Sequence, residues 1–193
     1  MRQAEITRQT AETDIRLTLA LEGEGAFRGD SGIGFLDHML HQVARHGGLN
    51  LDYTCRGDLQ VDTHHTVEDL GLCLGQALRQ ALGERRGIRR YGTAYVPMDE
   101  ALARVVLDLS GRPHLSFEAA FPTERVGALE TECVREFFRA VAMAGGLTLH
   151  LDVLRGDNGH HMIEALFKAF GRALGEAVRV VGGDVPSTKG MLE

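Results

Sequence analysis

Two copies of one short pattern hold the residues best suited to chemistry in this chain of 193 residues. The copies are segments 64–68 and 160–164, and each has two adjacent histidines followed by a glutamate. Residues four apart lie on one face of a helix, so the first histidine and the glutamate of each copy could bind one cation. The second histidine points about 100° away and suits a different cation. The pattern therefore predicts two metal ions and six ligands: His64, His65, Glu68, His160, His161 and Glu164.

The composition limits what else the chain could do. The net charge is -6 and 44% of the residues are hydrophobic, so we expect a globular protein that binds neither nucleic acid nor another polyanion. The polar N-terminus and the lack of a membrane-length apolar run favour a cytoplasmic protein with no membrane partner. The cysteines have no CxxC spacing, and we expect buried thiols that leave metal binding to nitrogen and oxygen: Cys55, Cys73 and Cys133.

The chain is internally repeated. At an offset of 96 (160 − 64), eight of the 19 residues in 64–82 are identical to their counterparts in 160–178. Weaker matches follow for residues 43–49 at an offset of 98 and for residues 12–23 at an offset of 88. Self-similarity over this much of the chain indicates a duplication, so each half should contain the same elements.

The predicted elements are two strands and two helices in each half. Alternating apolar residues indicate half-buried strands, Gly-Gly pairs end the first helix of each half, and an apolar stripe behind each histidine pair indicates a second helix with a buried face. The strands are near 15–21, 49–54, 102–109 and 147–153, and the first helices near 36–44 and 131–144. We therefore predict an internally duplicated α+β fold, each half a sheet covered on one face by helices, divided into 1–90 and 91–193 with a C-terminal tail.

The repeat predicts two further ligands. At the offset of 98, His38 in the first helix of one half lies opposite Glu136 in the other. Both can bind a metal, which gives eight candidate ligands, four for each of two ions. Imidazole and carboxylate donors without thiolate favour manganese, with ferrous iron or zinc as alternatives. Because neighbouring histidines diverge around the helix, we expect sites shared between the subunits of a homo-oligomer.

With these residues in place, the chain closely resembles the imidazoleglycerol-phosphate dehydratases of histidine biosynthesis, nearly from end to end. The segments that carry the resemblance are 12–13, 34–39, 62–69, 90–92, 110–113, 160–165, 167–168 and 186–190. The resemblance implies a duplicated fold, a dinuclear manganese centre and an assembly of 24 subunits whose sites combine several chains. Some members have histidine where this chain has Glu136, and a carboxylate there would add negative charge and alter the metal preference.

The resemblance also implies the reaction and further site residues. The family removes water from D-erythro-imidazole glycerol phosphate to give imidazole acetol phosphate. The carbon-bound proton has no carbonyl beside it, so we expect the two cations to help ionise the azole ring. Glu12 matches the family's substrate-contacting glutamate and is the candidate base. The candidates for binding the phosphorylated imidazole substrate are Gln42, His46, Arg90, Arg112, Lys168, Ser187, Thr188 and Lys189. The last three lie in a C-terminal tail that could act as a lid over the bound substrate.

Two other functions stay open on the residues alone. A dinuclear phosphoesterase would use two bridged metals to activate water, and it would release phosphate where dehydration leaves the phosphate attached. A non-catalytic metal-binding protein would explain the ligands but not Glu12, the arginines or the tail. A metalloprotease is disfavoured, because here the glutamate follows both histidines instead of lying between them. The remaining histidines are assigned to structure or surface: His41, His114 and His150.

Overall fold

The first half of the chain folds as a four-stranded sheet with two helices on one face. A computed structural model describes residues 2–192. The elements are β1 (Gln3–Gln9), β2 (Thr13–Ala20), β3 (Phe27–Asp30), α1 (Gly34–Gly47), β4 (Asn50–Gly57) and α2 (His64–Leu82). The strand order is β1-β2-β4-β3, antiparallel except for the parallel pair β3 and β4. Every second residue of β2, from Ile15 to Leu19, is buried, which is the period of a strand with one covered face.

The second half repeats this arrangement with one addition. Its elements are β5 (Tyr91–Met98), β6 (Ala101–Asp108), β7 (His114–Glu118), β8 (Arg125–Val126), β9 (Leu129–Glu130), α3 (Glu132–Gly145), β10 (Thr148–Arg155) and α4 (Gly159–Ala177). The strand order β5-β6-β10-β7 matches that of the first sheet, and β8 and β9 form a separate small hairpin. Each half is therefore a four-stranded sheet with two helices, and the predicted internally duplicated α+β fold is confirmed.

The strand register shows how closely the two halves correspond. Gln3 pairs with Ala20 in the first sheet, and Tyr91 pairs with Asp108 in the second, so both members of the pair are displaced by 88 residues (91 − 3 and 108 − 20). The offset then becomes 98 at the first helices (132 − 34) and at the starts of β4 and β10 (148 − 50), and it is 96 at the histidine pairs (160 − 64). The additional ten residues (98 − 88) fall between β7 and α3, where the hairpin lies. Glu130 of this hairpin accepts a hydrogen bond from the hydroxyl of Thr63, at the start of α2.

The helices pack across the halves. α1 packs on α4, and α2 packs on α3, so each helix pair takes one member from each repeat. Close approach depends on two equivalent glycines. A Cβ added at Gly75 would lie 2.7 Å from the carbonyl oxygen of Val141, and one at Gly171 would lie 2.8 Å from that of Val43. Any larger residue would push the helices apart, which explains why the repeat has glycine at both positions.

The interior is one continuous apolar cluster that includes residues of both halves. Phenylalanine rings of α3 and α4 contact each other within it, with the rings of Phe138 and Phe167 centred 4.7 Å apart. The three cysteines are buried and unpaired, as predicted: Cys55, Cys73 and Cys133. Across residues 2–192, the helices are all too short or too polar to cross a bilayer.

Several strands lie outside the predicted elements: β1, β3, β5, β7, β8 and β9. β1 is an edge strand whose outward residues are polar and whose inward residues include Arg8, so it has no clear apolar alternation.

Glu12 was expected in the first strand. It precedes β2, the second strand, at the turn that β1 and β2 share.

Candidate active site

Three predicted ligands from the two halves meet at the contact between α1 and α4. Glu164 Oε2 lies 3.0 Å from His160 Nε2 and 3.4 Å from His38 Nε2. The ligand atoms of the three side chains all lie within 4.8 Å of one another. Glu164 is 4% exposed, whereas both imidazoles reach the surface. The cluster is therefore open on one side, and a cation bound there would still be accessible to a substrate.

The carboxylate of this cluster is ionised. Lys168 Nζ lies 2.7 Å from Glu164 Oε1, the oxygen that faces away from the histidines. Burial by itself would raise the pKa of Glu164, but the hydrogen bond and charge of Lys168 outweigh it, and the pKa lies below its usual value. Two imidazoles and one ionised carboxylate, without thiolate, form a donor set that suits a divalent transition metal such as manganese.

Two predicted substrate residues continue along the same edge of α1. Gln42 Nε2 lies 3.3 Å from His38 Nε2, and His46 is one turn further on. Partial burial lowers the pKa of His46, and the positive charges of Lys168 and Arg172 on α4 lower it further. Lys168 was predicted to bind phosphate, and within one chain it lies beside Glu164 and these α1 residues instead of at the C-terminal tail.

The equivalent ligands at the other helix pair do not converge in the same way. Glu68 and Glu136 are half-buried, on α2 and α3, and Glu136 Oε2 lies 3.3 Å from Arg139 Nη1 of its own helix. Among the described residues, His64, Glu68 and Glu136 do not bring their ligand atoms into a group as tight as the one around Glu164. The two helix pairs thus carry equivalent candidate ligands, with Glu136 on α3 where α1 has His38, but within residues 2–192 only the pair of α1 and α4 brings its ligand atoms together.

The second histidine of each pair points away from the first. The ring planes of His64 and His65 are inclined by 89° with their centroids 6.2 Å apart, and those of His160 and His161 by 84° with their centroids 6.1 Å apart. His65 Nδ1 lies 3.0 Å from Asp58 Oδ2, and His161 Nδ1 lies 2.8 Å from Glu100 Oε2. These hydrogen bonds raise the pKa of each histidine, and that of Glu100 falls to about 2.

Glu12 lies beside His65 with its carboxylate half exposed. Its Oε1 is 3.7 Å from His65 Nε2. The backbone around it is fixed, because the Glu12 N–H donates to Thr10 Oγ1 and the Asp58 N–H donates to the Glu12 carbonyl oxygen. The carboxylate is thus held on a firm backbone while its oxygens stay accessible, which is suitable for a proton acceptor.

A buried polar network behind Glu12 was not predicted from the sequence. Thr13 Oγ1 donates to Asp69 Oδ2 at 2.5 Å, and Arg8 Nη2 lies 3.0 Å from Asp69 Oδ1. Asp69 follows the predicted ligand Glu68, and it is only 5% exposed. The signal was available, because Asp69 lies on the apolar face of α2 and a charge there requires a partner.

The C-terminal tail and two arginines line a cleft of about 600 Å³. The Arg90 guanidinium donates to both carboxylate oxygens of Asp108, at 2.7 and 3.0 Å, and to the carbonyl oxygen of Pro186 at 2.8 Å. Arg90 therefore attaches the tail to the second sheet. The residues of the cleft that were predicted to bind the substrate are Arg90, Arg112, Ser187, Thr188 and Lys189.

Fold and site together define a class of protein: a duplicated α+β protein with room for a divalent cation between its repeats and a basic cleft at its tail. Comparison with known proteins makes this class specific. The family profile described as imidazoleglycerol-phosphate dehydratase matches residues 31–174. The imidazoleglycerol-phosphate dehydratase of Heliobacterium modesticaldum is 61% identical over 195 residues, covering 100% of both chains.

Solved structures agree with the sequence comparison. The imidazoleglycerol-phosphate dehydratase of Staphylococcus aureus has a TM-score of 0.84 and 44% identity, covering 93% of this chain and 99% of that one. The enzyme of Pyrococcus furiosus, solved with (S)-C348, has a TM-score of 0.83 and 36% identity, covering 97% and 100%. The chain belongs to the imidazoleglycerol-phosphate dehydratase family, lyases of histidine biosynthesis.

Proposed function

We propose that this chain dehydrates D-erythro-imidazole glycerol phosphate to imidazole acetol phosphate in the cytoplasm, with two divalent cations at each active site. The imidazole and carboxylate donors favour manganese as the metal. Family membership supports the reaction. The observation that carries the metal requirement is the convergence of His38, His160 and Glu164 from two separate repeats. The second cation is assigned to His64, Glu68 and Glu136, on the equivalent helix pair.

The cations would supply positive charge beside the azole ring, which lowers the pKa of a ring N–H. The remaining steps fall to side chains of this chain. The hydroxyl leaves from the carbon attached to the ring, and the neighbouring carbon loses its proton to Glu12. The resulting enol becomes the ketone, so that one water leaves and the phosphate stays attached. Glu12 suits this step because its carboxylate is accessible and its backbone is fixed.

The phosphate is assigned to the basic residues. The cleft formed by Arg90, Arg112 and the tail provides guanidinium, ammonium and hydroxyl donors. Gln42, His46 and Lys168 lie near the contact between α1 and α4 and do not line this cleft. We assign both sets of residues to active sites that combine side chains of different subunits, within the homo-oligomer of 24 chains that the family resemblance implies.

The decisive assay incubates manganese-loaded protein with imidazole glycerol phosphate and measures both ketone and free phosphate. Ketone without phosphate release supports dehydration. Phosphate release would instead support a phosphoesterase, and metal-dependent assembly with no turnover would support a metal-binding protein. Gel filtration before and after chelation tests metal-bridged assembly, which an unchanged mass would contradict.

Glu12→Gln tests the proposed base directly. The amide keeps the shape of the side chain but cannot accept the proton, so turnover should fall by about 10²- to 10⁴-fold. Metal and substrate binding, measured by calorimetry, should be retained. Turnover close to that of the unmodified protein would exclude Glu12 as the base.

A further inference from the structure

The second histidine of each pair is held by a carboxylate from a different repeat position in each half. Asp58 follows β4, and its counterpart in the second half is Asp157, because residues 56–58 and 155–157 are both Arg-Gly-Asp and a one-residue register shift in β10 makes the local offset 99 (157 − 58). Glu100 precedes β6, and its counterpart in the first half (100 − 88) is Glu12. The two halves therefore bring carboxylates from different positions to the same ring nitrogen, Nδ1 of His65 and of His161. Because a different carboxylate makes the hydrogen bond to Nδ1 in each half, the hydrogen bond itself is indicated to be important for the histidine.

We propose that Asp58 and Glu100 are positioning residues, which fix His65 and His161 so that Nε2 of each binds a divalent cation. A carboxylate accepts a hydrogen bond from Nδ1–H, which leaves the lone pair of a neutral imidazole on Nε2. Metal-binding histidines commonly use their other nitrogen in this way. This inference rests on the proposed function, because it assumes that the chain binds divalent cations.

The Glu100 carboxylate is itself rigidly held. Its Oε1 accepts hydrogen bonds from the backbone N–H groups of Asn158, at 2.9 Å, and Asp157, at 3.3 Å. Its Oε2 faces His161 Nδ1. The Asn158 side chain in turn accepts from the His161 backbone N–H at the start of α4. Glu100 thus fixes both the loop before α4 and the ring orientation of His161.

In the first half, the hydrogen bond between His65 and Asp58 leaves Glu12 available as a base. His65 already has its Nδ1 occupied by Asp58, and the Asp58 backbone N–H holds the Glu12 carbonyl oxygen. Glu12 is the counterpart of Glu100 but is not needed to orient a histidine through Nδ1. The first half therefore has a spare carboxylate at the position that the second half uses for support.

The two oxygens of Glu100 make its amide variant informative. In Glu100→Gln the carbonyl oxygen would keep the two backbone hydrogen bonds, and the NH₂ group would then face His161 Nδ1. The ring would have to accept there, which moves its proton to Nε2 and blocks the cation. Asp58 differs, because among residues 2–192 neither of its carboxylate oxygens accepts a hydrogen bond from a backbone N–H, and both face His65 Nδ1. Asp58→Asn can turn its oxygen toward Nδ1 and keep the tautomer.

The test is calorimetric titration of manganese into full-length, chelator-treated protein. We expect Glu100→Gln and Asp58→Ala to weaken binding by about 10- to 100-fold, and Asp58→Asn to weaken it less than Asp58→Ala. The melting temperature of metal-free Glu100→Gln should be unchanged. Asp99→Asn is the matched control, because it removes a negative charge 3.7 Å from His161 Nε2 and asparagine tolerates the left-handed conformation at this position.

Three results would overturn the proposal. The first is that Glu100→Gln keeps full affinity for manganese. The second is that Asp99→Asn loses as much affinity for manganese as Glu100→Gln does. The third is that the melting temperature of metal-free Glu100→Gln falls together with its affinity, as a purely structural role requires. If the unmodified protein binds no divalent cation, the metal-dependent function fails and this inference with it. If the unmodified protein binds and the variants match it, only the positioning role fails.

Discussion

The two halves of the chain differ most in the support behind their helices. In the first half, a charged and polar network joins Arg8 on β1, Thr13 on β2 and Asp69 on α2. The equivalent positions in the second half hold buried apolar side chains: Val96, Ala101 and Ala165. All three positions of the network differ between the halves, as expected if they depend on one another, since a buried Asp69 without partners would be costly. The halves kept their strand register and histidine pairs while this support diverged.

The polar network lies next to the position at which the halves have glutamates with different proposed roles. The network lies directly behind Glu12, because Thr13 is the next residue and its hydroxyl is bonded to Asp69. In the second half the counterpart of Glu12 is Glu100, whose carboxylate is held by His161 and two backbone N–H groups. A carboxylate that is bonded directly needs no tether behind it. A carboxylate that must stay accessible needs its backbone fixed from another side.

The largest expected effect compares the glutamates of the two histidine pairs. Glu164→Ala and Glu68→Ala should each reduce turnover by about 10³-fold, since a bound cation supplies several kcal/mol of transition-state stabilisation. Only Glu164→Ala should lower the melting temperature of the metal-free protein, because it leaves the partly buried Lys168 without its carboxylate. Thermal unfolding of both metal-free variants checks this contrast. Equal melting temperatures would mean that the preassembled cluster contributes no stability.

The next largest effect is expected when the polar network of the first half is replaced by apolar residues like those of the second half. Asp69→Ala alone should cost about 3 kcal/mol, because Arg8 and Thr13 lose the partner they share. The triple variant Arg8→Val, Thr13→Ala, Asp69→Ala should recover most of that stability. Its turnover should stay low, because Glu12 has lost its tether. Thermal unfolding and a turnover assay at one protein concentration separate the two effects, and a triple variant with full turnover would show that the network serves stability alone.

The tail belongs to the second half only, and its removal tests whether it acts on the substrate or on the fold. Deleting residues 187–193 should weaken binding of a phosphorylated imidazole by about 10- to 100-fold, since charge-assisted hydrogen bonds contribute about 1.5–3 kcal/mol each. The melting temperature should hardly change, because the removed side chains that the structure describes are mainly exposed. Calorimetry with the ligand measures the loss. Unaltered affinity would remove the tail from the phosphate site.

The smallest effect concerns the thiols. Burial raises the pKa of Cys55 to about 12 and that of Cys73 to about 11. In the unfolded chain these thiols ionise near pH 8.5, so their contribution is complete below that pH and is lost as the pH rises toward 11–12. The double variant Cys55→Val, Cys73→Ala carries the second half's residues at both positions. Its melting temperature should fall less steeply between pH 9 and 11, and an identical slope would contradict the assignment.

Sequence alone predicted the duplicated fold well, because offsets and apolar periods survive in both halves. It did not predict β1, whose polar outer residues and inward Arg8 conceal the alternation, or the hairpin that causes the change from 88 to 98. The sequence also did not predict that His38 lies close to His160 and Glu164. Repeat alignment relates His38 to Glu136, whereas contact across the halves depends on how the helices cross.

The crossed helix packing has a consequence for how the protein could be divided. Because α1 rests on α4 and α2 on α3, neither repeat alone contains the complete cluster of His38, His160 and Glu164 or the partner helices on which its own helices pack. Two fragments cut between α2 and β5, expressed together, should find each other through glycine-lined helix contacts, and manganese binding should return only when both are present. A single ancestral repeat would have met the same requirement by pairing with a copy of itself, so that partnership between chains preceded their fusion.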